Sequence, residues 1–550
     1  MDTHSVRMTA EDTATMRSWS EQKYAAYAQG SADEAGAEGG WDVIVITAAD
    51  AGQQAAYEAQ VAAELAQGNL PARPQWLVVA DKPGAKIGPG GSTLFVLSVL
   101  QAKLGDALDA MRVLLIHAGG YSQRLPSMSV CGKIFAPMPV SRRCLGGADA
   151  PCTMLQLKLT MFAELPYPGK MIPGVFVTCA DDILIFDSGA CDFTAPGFTA
   201  LAHRSPLVTA AGHGVFSLPP DCEGVGPARA FVHKPSEARM REKGLVRSTE
   251  HPDGSTEEWA FTDSAFFFDR AVAKKLLGFW EKDLGGNLAC EVDCYGDFLQ
   301  PLGPEADASY LGSTAALVAG AGDTSDLVAI RQGLWELLSG TALTVLPLHP
   351  SRFYHIGTFV EYLHFFTQDA AFAAEVVTQD SINVYRSGDG EAAAAGAAAA
   401  AAGAPTVLNC ELGAGSSVAS GSVVEFSTLG AGSAVGSGCL VSGVELPPGA
   451  TVPDGTFLQT WALTDGSGGT EVAGFVAHII ATTDDIKAAM SDGNEISWLG
   501  VPVSEACGKL GLGLEQVWAE EGKPRNLWEA RLFPTAPTAA EAAGRAVALL

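Results

Sequence analysis

From Leu412 onward the apolar residues keep a spacing that neither a helix nor an ordinary strand produces. Leu412, Val418, Val424, Leu429, Val435 and Val441 follow at intervals of six, with one interval of five, and Gly, Ser and Ala fill the gaps. A helix repeats every ~3.6 residues and a strand about every two, so this phase belongs to a chain that turns a corner each time. A parallel β-helix with one apolar residue per face has that signature. The spacing predicts such a solenoid, left-handed, over residues 407–455. Ahead of it lies "EAAAAGAAAAAAGAPT". Its alanines favour helix, but nothing in it can anchor a core, so residues 386–406 read as a linker. Residues 456–550 mix strand-like and helical pieces around "NLWEARLFP" and are expected to cap the solenoid.

The first part of the chain reads differently. After an N-terminal extension over 1–40, residues 41–385 alternate short β-branched runs with longer stretches of helical period. "WDVIVITAAD", "QWLVVAD", "RVLLIHAGG" and "PGVFVTCADD" read as buried strands ending in small or acidic residues. "AGQQAAYEAQVAAELAQG" and "STLFVLSVLQAKLGDAL" read as the helices between them. That alternation predicts an α/β domain with a doubly wound, mostly parallel sheet covered on both faces. Ligands of such sheets collect at the carboxyl ends of the strands, where the glycines and acids cluster here.

Composition narrows the partners. The formal charge is −28, from 34 Lys plus Arg against 62 Asp plus Glu. Phosphate backbones need a basic surface, so no nucleic-acid partner is expected. A small phosphorylated substrate stays open, because one cationic cleft can hold it while the remaining surface is acidic. No run approaches the ~20 apolar residues of a membrane helix, and the N-terminus has no hydrophobic signal core. Eleven scattered cysteines without a metal-like spacing point to reduced thiols. A cytoplasmic protein with no membrane association is the expectation; monomer and homo-oligomer both remain open.

Two glycine-rich turns carry the chemistry. In "LLIHAGGYSQRLPSMSVCGKIF" a strand stops at Gly119 and Gly120. Such a turn can bring backbone N–H groups against an anion, with Ser122 beside it and Arg124 and Lys133 supplying charge. It is neither a P-loop nor a dinucleotide fingerprint, and a tight turn with surface cations reads almost as well. "DKPGAKIGPGGSTL" has the same character. Lys86, Gly90, Gly91 and Ser92 precede a helix whose first N–H groups would face a phosphate, and a plain capped turn is the alternative.

Taken together, "DKPGAKIGPGGSTL", "HAGGYSQRLPSMSVCGKIF", "VTCADDI", "HGVF", "FVHKPS", "TDSAFFFD", "EVDCYGDFLQPLG" and "FYHIGTFVEYL" resemble, in this order, the fucose-1-phosphate guanylyltransferase (GDP-L-fucose pyrophosphorylase) family. The likeness extends over roughly 41–540 and implies a sugar-nucleotidyltransferase type of α/β domain. It implies GTP and L-fucose 1-phosphate as substrates, GDP-L-fucose and pyrophosphate as products, and Mg²⁺ as cofactor. Arg124 and Lys133 would meet the triphosphate and Lys234 the sugar phosphate. Asp181, with Asp182 as a possible sharer, would hold the metal. His213 and Asp297 would touch base or sugar. His355 stands where many bacterial relatives carry a second metal-binding Asp, which leaves Asp297 or a single carboxylate to hold the ion. Another hexose 1-phosphate as substrate, or a silent scaffold that binds nucleotide sugar, are the rival readings.

Overall fold

The computed structural model describes residues 6–32, 40–165, 169–220, 222, 224–313, 325–378, 381–386, 403–464, 471–491, 493–518, 520 and 522–549. Most of the Ala-rich segment lies outside these. The chain divides into two compact units, Met1–Gly120 with Lys158–Tyr354, and Tyr121–Leu157 with His355–Leu550. The partition thus cuts three times inside the span 41–385.

The first unit is built on a mixed sheet. Its central strands are β1 (Val43–Ala48), β2 (Gln75–Ala80), β3 (Arg112–His117), β4 (Gly174–Cys179), β5 (Phe198–Pro206), β6 (Thr256–Asp269) and β7 (Leu343–Leu348), in the order β7-β5-β6-β4-β3-β1-β2, with four shorter strands added at β6 and β7 to make eleven. The four strands β2, β1, β3 and β4 are mutually parallel. β6 runs against both of its neighbours, β4 and β5. All six residues of β1 are buried, which a strand achieves only when both sheet faces are covered. Helix Gly88–Leu104 shares its core with the strands through Leu94, Val96, Leu97 and Leu100. The N-terminal extension carries a 23-residue helix, Ala10–Ala32. Its buried Lys23 donates to the carbonyls of Met161 and Phe186.

The second unit contains a stack of short parallel strands. Leu412 lies beside Leu429 and that beside Leu446; Val418 pairs with Val435 and that with Val452; Val424 pairs with Val441. The offset between partners is 17 residues each time, so two intervals of six and one of five complete one coil. Every coil turns through three left-handed corners. They fall at Asn409, Phe426 and Gly443, at Gly415, Gly432 and Gly449, and at Gly421, Gly438 and Gly455. Glycine dominates these corners because an L side chain is disfavoured there. Thr456–Thr464 continues the ladder and then pairs antiparallel with Val472–Ala481. All eleven cysteines are free thiols. No described helix is long and apolar enough to cross a membrane.

Candidate functional site

The glycine turn after β3 is closed by its own unit. The amides of Ala118 and Gly119 donate to Thr47 Oγ1 at 3.0 and 3.2 Å. Gly120 N donates to Gln53 Oε1 at 3.2 Å, and Gln53 Nε2 returns a bond to Gly120 O at 2.9 Å. The expectation of bare amides at Gly119 and Gly120 is therefore corrected: Thr47 and Gln53 occupy them. Gly119 is glycine because a Cβ would lie 3.0 Å from the Ala48 carbonyl carbon.

The second glycine-rich stretch behaves alike, except that Gly90, Gly91 and Ser92 do not precede the helix but form the first turns of helix Gly88–Leu104. Gly90 N donates to Val292 O at 2.7 Å, and a Cβ on Gly90 would come within 2.8 Å of that oxygen. Gly91 presses on Leu288 in the same way, and the Ser92 hydroxyl bonds Asp81. Gly90, Gly91 and Ser92 are buried and serve this packing, while Lys86 is exposed. Again the sequence shows the glycine but not the partner that claims its amide.

At the end of β4 the two acids separate. Asp181 is partly exposed, whereas Asp182 is buried and forms an ion pair with the buried Lys158, which also donates to Thr178. Lys158 escaped the sequence reading, although a lone charge in "MLQLKLTM" was the signal. Asp297 is likewise internal. One oxygen accepts from Arg331 Nε at 2.8 Å and the other from Asp293 N at 2.8 Å. With its carboxylate 1% exposed, Asp297 is bonded on both oxygens within the protein and anchors its own turn. Among the described residues no group of three or more His, Cys, Asp or Glu is placed to hold a metal ion.

Beside these lies a polar floor that the sequence did not show. β6 breaks register with β5 between Asp263 and Phe266. Asp263 there accepts from Gly214 N at 3.0 Å, and burial pushes its carboxyl up to about 8. Ser264 bonds His203 Nε2 at 2.8 Å, and its carbonyl accepts from Tyr295 OH at 2.8 Å. His117, at the end of β3, is pushed down to about 4 by burial. The Thr93 hydroxyl donates to Pro89 O, so His117 Nε2, 2.9 Å away, is the donor of that pair.

Lys234 is exposed and sits at φ 45°, its amide held by His213 O at 2.9 Å. A non-glycine residue in that region is strained and marks a position worth a functional test. His213 itself meets the edge of Phe353, with ring centroids 4.9 Å apart.

In the second unit the loop of Ser122, Arg124 and Lys133 is tied to the segment 355–361. Ser122, at φ 49°, accepts from Leu125 N. Arg124 O accepts from Phe359 N at 3.1 Å, and Lys133 Nζ donates to Gly357 O at 3.2 Å. The Arg124 side chain is exposed. His355 lies on Gly357 and bonds Glu361 at 3.1 Å. Burial alone would raise the Glu361 carboxyl, but His355, Gly357 N and Thr358 outweigh it and hold it at about 2. His355 thereby braces the turn that receives Lys133.

The class these features define is a mixed α/β protein whose second unit stacks parallel coils. The family model of the fucose pyrophosphorylase domain matches residues 105–538, and the chain belongs to that family. Over 360 residues it is 42% identical to fucose-1-phosphate guanylyltransferase of Mus musculus, covering 62% of this chain and 59% of that protein. The Homo sapiens protein of the same name is 42% identical over 361 residues, covering 62% and 57%. The chain thus spans less than two thirds of the length of these relatives. A shorter match, 38% over 99 residues, is to the L-fucokinase/L-fucose-1-P guanylyltransferase of Bacteroides fragilis.

Proposed function

We propose that this protein transfers the guanylyl group of GTP to L-fucose 1-phosphate, releasing pyrophosphate and GDP-L-fucose. The observation that carries the reading is the family match over 105–538, joined to relatives named for that activity. In this scheme an oxygen of the sugar phosphate attacks the α-phosphorus in line, and pyrophosphate departs on the far side. Such a transfer requires positioning and charge neutralisation more than covalent help. Arg124 would grip phosphate oxygens with its planar fork, and Lys133 would place a compact charge beside them. Lys234 would meet the sugar phosphate; its exposed ammonium on a strained backbone supports that role.

Of the two acids after β4, only Asp181 keeps a partly open carboxylate, which suits an ion that takes one or two carboxylates plus phosphate oxygens. Mg²⁺ held there would neutralise charge on the phosphates. Asp182 would not share it, since Lys158 claims it.

The wider organisation follows the same reading. The 17-residue coils, with three left-handed corners each, support a left-handed parallel β-helix over 407–455 with a cap from 456. The mixed sheet supports a nucleotide-diphospho-sugar transferase-like domain, and free thiols support a cytoplasmic setting.

The test is pyrophosphate release by the full chain from GTP and L-fucose 1-phosphate, with and without Mg²⁺, against a panel of other sugar phosphates and nucleotides. Release peaking at that pair supports the proposal. Release with another sugar phosphate reassigns the substrate, and GDP-fucose binding without release favours a scaffold.

A further inference from the structure

We propose that Glu425, Ser442 and Gln459 form a positioning column that fixes the loop carrying Arg124 and Lys133; this rests on the phosphate-handling role proposed for that loop. The three residues are successive rungs of one parallel ladder, Glu425 beside Ser442 and Ser442 beside Gln459. All three are buried. Val424, Val441 and Leu458 hold the adjacent positions and point to the opposite side of the ladder. Two faces are therefore covered, one apolar and one bearing this polar column.

What meets the column comes from the same unit. Gln459 Nε2 donates to Ser127 O at 3.1 Å and lies 3.4 Å from Ser442 Oγ. The Tyr362 hydroxyl donates to Glu425 Oε2 at 2.7 Å. Ser127 sits in the turn Pro126–Met128, between Arg124 and Lys133. That turn is internally stiff, with Met128 N donating to Leu125 O and Gly132 N to Met128 O. Holding the Ser127 carbonyl thus sets both flanks of the loop. On the far side, the bonds of Lys133 to Gly357 and of Phe359 to Arg124 complete a two-sided clamp.

The column is a costly way to pack a loop. Oγ of Ser127 and Ser129 and Oε1 of Glu425 and Gln459 are buried without a protein partner. Apolar rungs would bury the loop better, but they would accept it in several registers. The directional bond from the Gln459 amide to the Ser127 carbonyl is satisfied in one register only, and fixing register is the best-attested use of buried polar groups. Burial pushes the Glu425 carboxyl up to about 7, while the Tyr362 hydroxyl opposes that shift. Cys131 and Cys410 are its other titratable neighbours, and both thiols are themselves raised by burial. No cation is among these neighbours, so as pH rises through about 7 an uncompensated charge forms under the loop and docking weakens.

The experiment is hydrogen exchange of peptides spanning 122–135, read beside steady-state kinetics, on the full chain. In Gln459→Leu the loop amides should exchange about tenfold faster, matching loss of one buried hydrogen bond, while coil peptides stay protected. KM for GTP should rise by a similar factor. In Glu425→Gln the loop should remain protected across pH 6 to 8.5, where the wild type opens after correction for intrinsic exchange. Unchanged loop exchange in Gln459→Leu, or a wild-type pH response retained in Glu425→Gln, overturns the column. Faster exchange with unchanged kinetics overturns its role in turnover. A wild-type chain that releases no pyrophosphate while its loop still responds overturns the proposed reaction and leaves the brace supported.

Discussion

At the scale of single residues, the ion pair of Lys158 and Asp182 shows how a charge can matter without touching substrate. Both side chains are 1–2% exposed. Replacing Lys158 by Met strands the carboxylate in the interior, and stability should fall by about 3–5 kcal/mol in urea titration. The double variant with Asp182→Leu should recover most of that loss; no recovery would mean that Lys158 acts through something other than the pair. Lys133 is the opposite case. It is half-buried and donates to the Gly357 carbonyl, so Lys133→Ala should cost far less than breaking that buried ion pair, with the unfolding midpoint within about 1–2 kcal/mol of wild type. Turnover should drop roughly a hundredfold or more if its charge meets the developing phosphate charge. Equal turnover would remove Lys133 from the site. Arg124, Lys133 and Lys234 could be singled out in the sequence because they stand in short contiguous strings beside glycine or proline. The groups that answer them were not. Gln53 reaches back to Gly120 across 67 positions, and Arg331 reaches Asp297 across 34. Sequence spacing carries no trace of such pairings until the chain has folded.

At the scale of elements, periodicity decides what can be read ahead of the structure. The coil was legible because each face repeats one apolar residue, and the single interval of five is what makes the coil 17 residues long. The strands of the first unit were legible as buried runs. The reversed direction of β6 was not, since "TDSAFFFD" is continuously apolar at its end and says nothing about polarity in the sheet. The same coil logic gives a prediction. Asn409, Phe426 and Gly443 occupy equivalent left-handed corners one coil apart, and Phe426 is 50% exposed there. An L residue pays roughly 1–2 kcal/mol at such a corner, and a half-exposed ring returns only part of it. Phe426→Gly should therefore stabilise the second unit by about 1 kcal/mol, seen as a higher unfolding midpoint. A lower midpoint would mean that the ring's packing outweighs the backbone strain.

For the molecule as a whole, the buried titratable groups set a pH window. Burial pushes His203 down to about 3 and His117 and His478 down to about 4. A group whose folded pKa is depressed stabilises above its unfolded value, so these histidines contribute fully above about pH 6.5 and lose that contribution as pH falls. Asp263 has the reverse sign. Burial raises it to about 8, and the Gly214 amide only partly opposes this. Its contribution is complete below about pH 4 and is lost as pH rises through 8. Above about pH 7.5 the histidines are almost wholly neutral in both states and their contributions are flat, while the fold still holds on Asp263 much of a proton that the unfolded chain has released. Stability should then fall as pH rises, by less than the roughly 1.4 kcal/mol per unit of a fully held proton, with Glu425 adding a smaller part near pH 7.5; nearer pH 6.5 the titrating histidines offset the decline. Asp263→Asn keeps an acceptor for Gly214 N but has no proton to lose. Urea midpoints measured across this range should decline in the wild type and lose most of that slope in the variant. Parallel declines would assign the proton elsewhere, to the general repulsion of a chain carrying a formal charge of −28.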